Sequence, residues 1–111
     1  MKSRKVRLTG PARRDLYRHR LTLEAIDADH AEARIFALSA KFFELADKGV
    51  TGSTRWYAPD YVRAFPWKKY CFYFRVDNGT LTLLRVLAQR ENITEIAFEM
   101  PDTEATDDES Q

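Results

Sequence analysis

The side chains of this 111-residue sequence that could do chemistry are mainly charged ones, and its 18 basic and 17 acidic residues are unevenly placed. Residues 101–111 hold 5 of the 17 acids and no base. Residues 1–100 therefore keep 12 acids against 18 lysines and arginines, a charge of about +6. Guanidinium groups bind carboxylates and phosphates through paired hydrogen bonds. A basic body thus predicts an anionic partner, either nucleic acid or an acidic segment of another protein, although ordinary solubility charge would look the same.

Other kinds of chemistry lack the residues they need. His19 and His30 are not accompanied by carboxylates at ligand spacing, so the sequence predicts no metal site and places the histidines at the surface or at a helix cap. The four glycines form no phosphate-binding loop, and no cofactor is expected. Cys71, the single cysteine, lies in an apolar run that predicts a buried thiol. Residues 1–10 are basic with no apolar stretch after them, which predicts a cytoplasmic protein without a membrane segment.

The first half of the chain predicts a strand and a helical hairpin. Residues 4–9 alternate as in a strand with one buried face, and Gly10-Pro11 opens a helix over residues 11–26. Its apolar stripe consists of Ala12, Leu16, Leu23 and Ile26, and its opposite face carries Arg13, Arg14, Arg18 and Arg20. Asp29 and Glu32 are spaced as a capping box that starts a second helix, which ends near Lys48. Its apolar stripe is Ala31, Ile35, Leu38, Phe42 and Leu45, which Phe36 and Phe43 widen into a broad apolar face.

The second half predicts a three-stranded meander. Residues 50–59 form a loop whose Arg55, Trp56 and Tyr57 either cover the edge of the core, which the sequence favours, or bind a partner. Strands follow at residues 61–65, 70–76 and 80–88, with turns at 66–69 and at Asn78-Gly79. Residues 93–98 are predicted to form a short strand or a helical turn. The result is an α+β sandwich of two layers over residues 1–100, followed by an acidic, mobile tail at 101–111.

Four segments carry a further signal. They read LTGPARRDL at residues 8–16, YVRAF at 61–65, YCFYFRV at 70–76 and LRVLAQR at 84–90. In this order they resemble the opening strand and helix, the Arg-x-Phe strand, the aromatic strand and the closing Arg-Val-Leu strand of the RelE/ParE family of bacterial toxins. The resemblance covers roughly residues 4–92. It implies a β-α-α-β-β-β fold with an N-terminal strand, an antiparallel helical hairpin and a three-stranded antiparallel meander.

The resemblance also implies a function. Family members are the toxin halves of type II toxin–antitoxin pairs, neutralised by a cognate antitoxin and reaching operator DNA only through it. One branch cleaves mRNA on the ribosome, whereas the ParE branch inhibits DNA gyrase and is not a nuclease. Family nucleases keep cations at the positions of Arg63, Arg85 and possibly Arg90, which would be the catalytic residues if this chain were a ribosome-dependent endoribonuclease.

The residues needed for proton transfer favour the ParE-like branch. RNA cleavage by the 2′-hydroxyl needs a base and an acid besides the cations. Ala88 stands where the closing strand often carries His, and no His or Tyr follows Arg85. The mRNA endonuclease and a non-toxic, degenerate binding module of the same fold remain the alternatives. In each case we expect arginines to bind the partner: Arg13, Arg14, Arg18, Arg63, Arg75 and Arg85. The acidic tail either shields this basic surface or serves only solubility.

Overall fold

The computed structural model describes residues 4–89 and 91. The elements are β1 (Lys5–Leu8), α1 (Gly10–Ile26), α2 (Ala28–Asp47), β2 (Arg63–Trp67), β3 (Tyr70–Asp77) and β4 (Thr80–Ala88). They form one mixed sheet in the order β1-β4-β3-β2, in which only β1 and β4 are parallel. The predicted α+β class and element order are confirmed. Arg90, the element predicted at 93–98 and the acidic tail at 101–111 lie outside the described residues.

The turns of the meander explain where its strands begin and end. Asn78 and Gly79 take φ values of 38° and 79° between β3 and β4, as the predicted tight turn requires. The first strand of the meander is shifted from the predicted residues 61–65 to Arg63–Trp67. Pro66 is accommodated because β2 is an edge strand, where a missing N–H costs little. The turn that follows is therefore shorter than predicted, and Lys68 adopts its positive φ of 56°.

The helix-covered side of the sheet holds the larger core. The Phe42 ring of α2 lies 5.5 Å from the Phe72 ring and 5.9 Å from the Phe74 ring of β3. Leu38 and Leu45 of the predicted α2 stripe are buried beside them. Phe36 and Phe43, which widen the apolar stripe of α2, stay outside this core, since they are 72% and 54% exposed. A sheet covers one stripe of a helix, and both phenylalanines lie outside that stripe.

The start of α2 also differs from the prediction. The helix begins at Ala28 with Asp27 as its N-cap residue, and Asp29 lies within the first turn. The Asp27 side chain makes no cap hydrogen bond. It instead accepts a 2.8 Å hydrogen bond from Nδ1 of His30, which lowers the pKa of Asp27. The predicted capping box of Asp29 and Glu32 is therefore wrong, because the two helices are joined more tightly than the sequence suggested.

The opposite face of the sheet is covered by the loop that joins α2 to β2. This smaller core consists of Val62, Ala64, Cys71, Tyr73, Leu84 and Leu87, with Tyr57, Ala58 and Tyr61 packed against it. The favoured role of the loop is thus confirmed for Tyr57, whereas Trp56 is 88% exposed. Gly52 allows the close approach, since a Cβ there would lie 2.8 Å from the Ala64 carbonyl oxygen. Cys71 is buried as predicted, and its burial raises its pKa.

Candidate functional site

Helix α1 lies along an edge of β4 that β1 leaves open. β1 pairs with β4 only as far as Leu83, so the backbone of β4 beyond that point needs other partners. The Thr9 hydroxyl lies 3.0 Å from the carbonyl oxygen of Leu83 and also caps α1 by accepting a hydrogen bond from the Ala12 amide. Asp15 Oδ2 accepts a 3.0 Å hydrogen bond from the Val86 amide. Side chains from α1 and its cap thereby take the place of a neighbouring strand.

His19 completes this contact one helical turn after Asp15. Its Nε2 lies 2.6 Å from the Val86 carbonyl oxygen, so this nitrogen carries the proton and donates. The imidazole ring packs edge-on against Tyr70, with 4.9 Å between ring centroids. The prediction of a surface or capping histidine is wrong for His19, which is buried. Asp15 and His19 together satisfy both backbone groups of Val86.

The Asp15 carboxylate also accepts two hydrogen bonds from the guanidinium of Arg85, one on each oxygen. Arg85 Nε donates to Oδ2 at 2.6 Å, and Arg85 Nη2 donates to Oδ1 at 2.9 Å. The Asp15 side chain is 4% exposed and that of Arg85 is 20% exposed. This is a bidentate ion pair in a largely dry position, where leaving either charge unpaired would be costly.

Arg18 and Glu91 extend the network toward the surface. Arg18 donates to Asp15 Oδ1 at 3.1 Å and to both oxygens of Glu91, at 3.2 and 3.3 Å. Glu91 also accepts a 2.9 Å hydrogen bond from the Ala88 amide. Partial burial acts to lower the pKa of Arg18, but its hydrogen bonds to Glu91 and Asp15 outweigh this, and the pKa is raised. We call Thr9, Asp15, Arg18, His19, Arg85 and Glu91 the α1–β4 seam.

The predicted site arginines do not come together on one surface. Arg63 is paired with Phe74 in the sheet and therefore projects toward the helices, whereas Arg75 follows Phe74 and projects to the loop-covered face. Arg75 lies 3.3 Å from Asp77 and over the Tyr61 ring, while Arg63 makes no ion pair with any described residue. Arg13 and Arg14 are exposed on α1. The structure thus brings together Arg18 and Arg85, both in the seam and both facing carboxylates.

The chemistry available to the seam is limited by its own hydrogen bonds. The Arg85 guanidinium is turned to Asp15, and the proton on His19 Nε2 is committed to a buried carbonyl. On the other face of the sheet, the hydroxyls of Tyr57 and Tyr73 lie 2.9 Å apart. Burial raises the pKa of Tyr73 far above its usual range, and the hydrogen bond to Tyr57 adds to the shift, so this hydroxyl stays protonated at neutral pH. Among the described residues, no three His, Cys, Asp or Glu side chains are grouped as a metal would need.

The burial of Asp15 and His19 was not predicted from the sequence, because only apolar residues were assigned to the inward stripe of α1. The buried residues of this helix are Ala12, Asp15 and His19. The spacing did contain a signal: a carboxylate and an imidazole four residues apart, on the same side as Ala12 and Leu16, point away from solvent. The sequence could not show that α1 packs against an edge of β4 whose backbone amide and carbonyl groups have no neighbouring strand to bond to.

Comparison with known proteins places the fold among RelE-like arrangements. The elements follow each other as β-α-α-β-β-β in two layers, with β1 parallel to β4, and this is the RelE-like order. One matching solved structure is a chain of the toxin–antitoxin complex RelBE2 from Mycobacterium tuberculosis, with a TM-score of 0.52 and 22% sequence identity. The match covers 78% of this chain and 99% of that one. No family model and no curated protein matches. The resemblance that four motifs suggested is thus confirmed at the level of the fold.

No helix in the described part of the chain is long and apolar enough to cross a membrane.

Proposed function

We propose that this chain is the toxin half of a type II toxin–antitoxin pair, and that it acts in the cytoplasm in the manner of ParE, by binding a cellular target. By the resemblance, that target is DNA gyrase, and a cognate antitoxin neutralises the toxin. The fold shared with a chain of the RelBE2 complex supports the toxin–antitoxin class. The choice of binding over RNA cleavage depends on the α1–β4 seam.

The observation that carries this choice is the ion pair of Arg85 with Asp15. A cation that stabilises a phosphorane must turn its donors toward the substrate in the transition state. The Nε and Nη2 atoms of Arg85 are instead engaged by a carboxylate that is almost completely buried. Freeing them for a phosphate would strand Asp15 as an unpaired buried charge. Arg85 therefore serves as a structural cation in this chain.

The arginines outside the seam supply the surfaces for partners. Arg13 and Arg14 lie on the exposed side of α1, and Arg63 and Arg75 project from opposite faces of the meander. Because these cations face different directions, a rigid globular partner cannot reach all four at once. A long, partly acidic antitoxin segment that wraps around the domain can. This arrangement fits neutralisation by an extended chain better than by a compact one.

Two measurements on the full chain test the proposed function. We expect induction in a bacterium that lacks the antitoxin to stop growth, and we expect the purified protein to inhibit supercoiling by DNA gyrase. Messenger RNA in a translating extract should stay intact. Unchanged supercoiling at micromolar protein, together with cleaved mRNA, would replace this proposal by the endonuclease. Harmless induction of a folded protein would replace it by the non-toxic binding module.

A paired substitution separates a structural Arg85 from a catalytic one. Asp15→Asn with Arg85→Gln removes both charges but keeps amide groups that can hydrogen-bond to each other and to the Val86 amide. We expect this double variant to fold and to retain growth inhibition, whereas Arg85→Gln alone should unfold more readily. A folded double variant that has lost toxicity, while Arg34→Gln at an exposed arginine of α2 keeps it, would assign the activity to the Arg85 guanidinium.

A further inference from the structure

The outer side of the helical hairpin carries an apolar face with no partner in the described structure. Four of the six large exposed apolar residues lie on α1 and α2 outside the inward stripes: Tyr17, Leu21, Phe36 and Phe43. Monomeric proteins rarely expose a contiguous apolar patch of more than a few hundred Å². Phe36 and Phe43 alone, at 72% and 54% exposure, contribute roughly 200–300 Å² of such surface.

Helix α2 carries this face as a second regular stripe. Ala33, Phe36, Ala40 and Phe43 recur at spacings of three, four and three, the spacing of a helix that packs against another helix. All four are exposed, as is Ala37 beside them. The inward stripe of the same helix is already satisfied by the sheet. A helix that is apolar on both sides is normally covered on both sides.

The charges that border the face are separated by helix. The exposed charges of α1 are mostly basic and those of α2 are mostly acidic: Arg13, Arg14, Arg18, Arg20 and Glu24 on α1, and Asp29, Glu32, Arg34 and Asp47 on α2. A surface with one basic and one acidic row is complementary to itself when α1 of one copy lies over α2 of the other. Placing α1 over α1 would bring the two basic rows together.

The lengths of the helices make this arrangement complementary in shape as well. Asp27 joins the antiparallel helices, so residues equally far from it along the chain lie at the same height. Tyr17 and Leu21 of α1 are thus level with Ala37 and Ala33 of α2. Phe43 is level with the start of α1, next to Gly10. A two-fold axis parallel to the helices keeps these heights, so Tyr17 and Leu21 of each copy meet alanines of the other, while Phe36 is level with Arg18.

We propose that a second copy of this chain covers the hairpin face, giving a two-fold dimer in which α1 of each protomer packs over α2 of its partner as a four-helix layer. The sheets then lie on the outside of the dimer, and the α1–β4 seam remains within each protomer. The apolar area available is smaller than that of a standard interface of about 800 Å² per partner, so the dimer is a reversible one. This proposal does not depend on toxin activity.

Sedimentation velocity of the purified full chain, from about 1 to 300 µM, tests the proposal over the range in which a small interface dissociates. We expect a shift from monomer to dimer with rising concentration. Ala37→Glu places a charge beside the stripe, level with Tyr17, and should weaken association at least about tenfold. Ala28→Glu is the matched control, because it makes the same change at an exposed alanine at the tip of the hairpin.

A charge exchange tests the orientation. Arg20 on α1 and Glu32 on α2 differ in height by two residues, or about 3 Å, so the Arg20 of one copy should meet the Glu32 of the other. Arg20→Glu and Glu32→Arg should each weaken the dimer, and the double variant should regain most of the loss. A chain that stays monomeric at 300 µM, or a dimer that Ala37→Glu leaves unchanged, overturns the proposal and assigns the face to another protein or to the chain's own residues beyond Glu91.

Discussion

Helix α1 buries Asp15 and His19 against β4, whereas on its outer side Tyr17 and Leu21 are exposed. The usual distribution of polar and apolar residues is therefore partly reversed on this helix. Inside, the reversal is enforced by a strand edge whose amide and carbonyl groups need partners. Outside, nothing in the described structure enforces it. The two sides teach that polarity alone does not tell which face of a helix is buried: the groups presented by the neighbouring element do.

The inner side should be the most sensitive part of the molecule to substitution. Asp15→Ala leaves the partly buried Arg85 guanidinium without its bidentate partner and the Val86 amide without an acceptor. We expect the free energy of unfolding to fall by about 3–5 kcal/mol. Urea unfolding followed by circular dichroism measures this directly. Asp29→Ala, an exposed carboxylate in the first turn of α2, is the control and should cost less than about 1 kcal/mol. Equal effects of the two would mean that Asp15 is solvated in solution.

His19 should come second, because it supplies a single hydrogen bond and an aromatic contact. His19→Ala removes the donor to the Val86 carbonyl and the edge-on contact with Tyr70. An unsatisfied buried carbonyl costs about 1–3 kcal/mol. For a domain of this size, we expect the melting temperature to fall by roughly 5–15 °C. His30→Ala, which alters an exposed histidine bonded to Asp27, should change it by only a few degrees. If the two variants melt together, His19 does not hold α1 to β4.

The inner and outer sides of the hairpin also differ in how well the sequence predicts them. The periodicity of α2 and the Asn78-Gly79 turn predict local elements well, because helix stripes and positive-φ turns depend on neighbouring residues. The partner of Asp15 is 70 residues away along the chain, and no local pattern connects it to Arg85. The four motifs suggested the family fold, yet they also led us to regard Arg85 as a candidate catalytic cation. In the structure its Nε and Nη2 atoms donate to the Asp15 carboxylate, a contact that no motif indicated.

The smallest effect on stability is expected on the outer side, at Phe36. The buried Phe42 is a matched comparison, because it is a phenylalanine of the same helix. Below the concentration at which copies associate, Phe36→Ser should change the free energy of unfolding by less than about 0.5 kcal/mol, since serine and phenylalanine have similar helix propensities. Phe42→Ser should cost at least about 3 kcal/mol, because its ring fills the core against Phe72 and Phe74. Urea unfolding at low micromolar protein compares the two. Because Phe36 is 72% exposed in the described structure, a large loss for Phe36→Ser would show that the outer face is already covered in the monomer. The self-association proposed for the hairpin would then lose its physical basis.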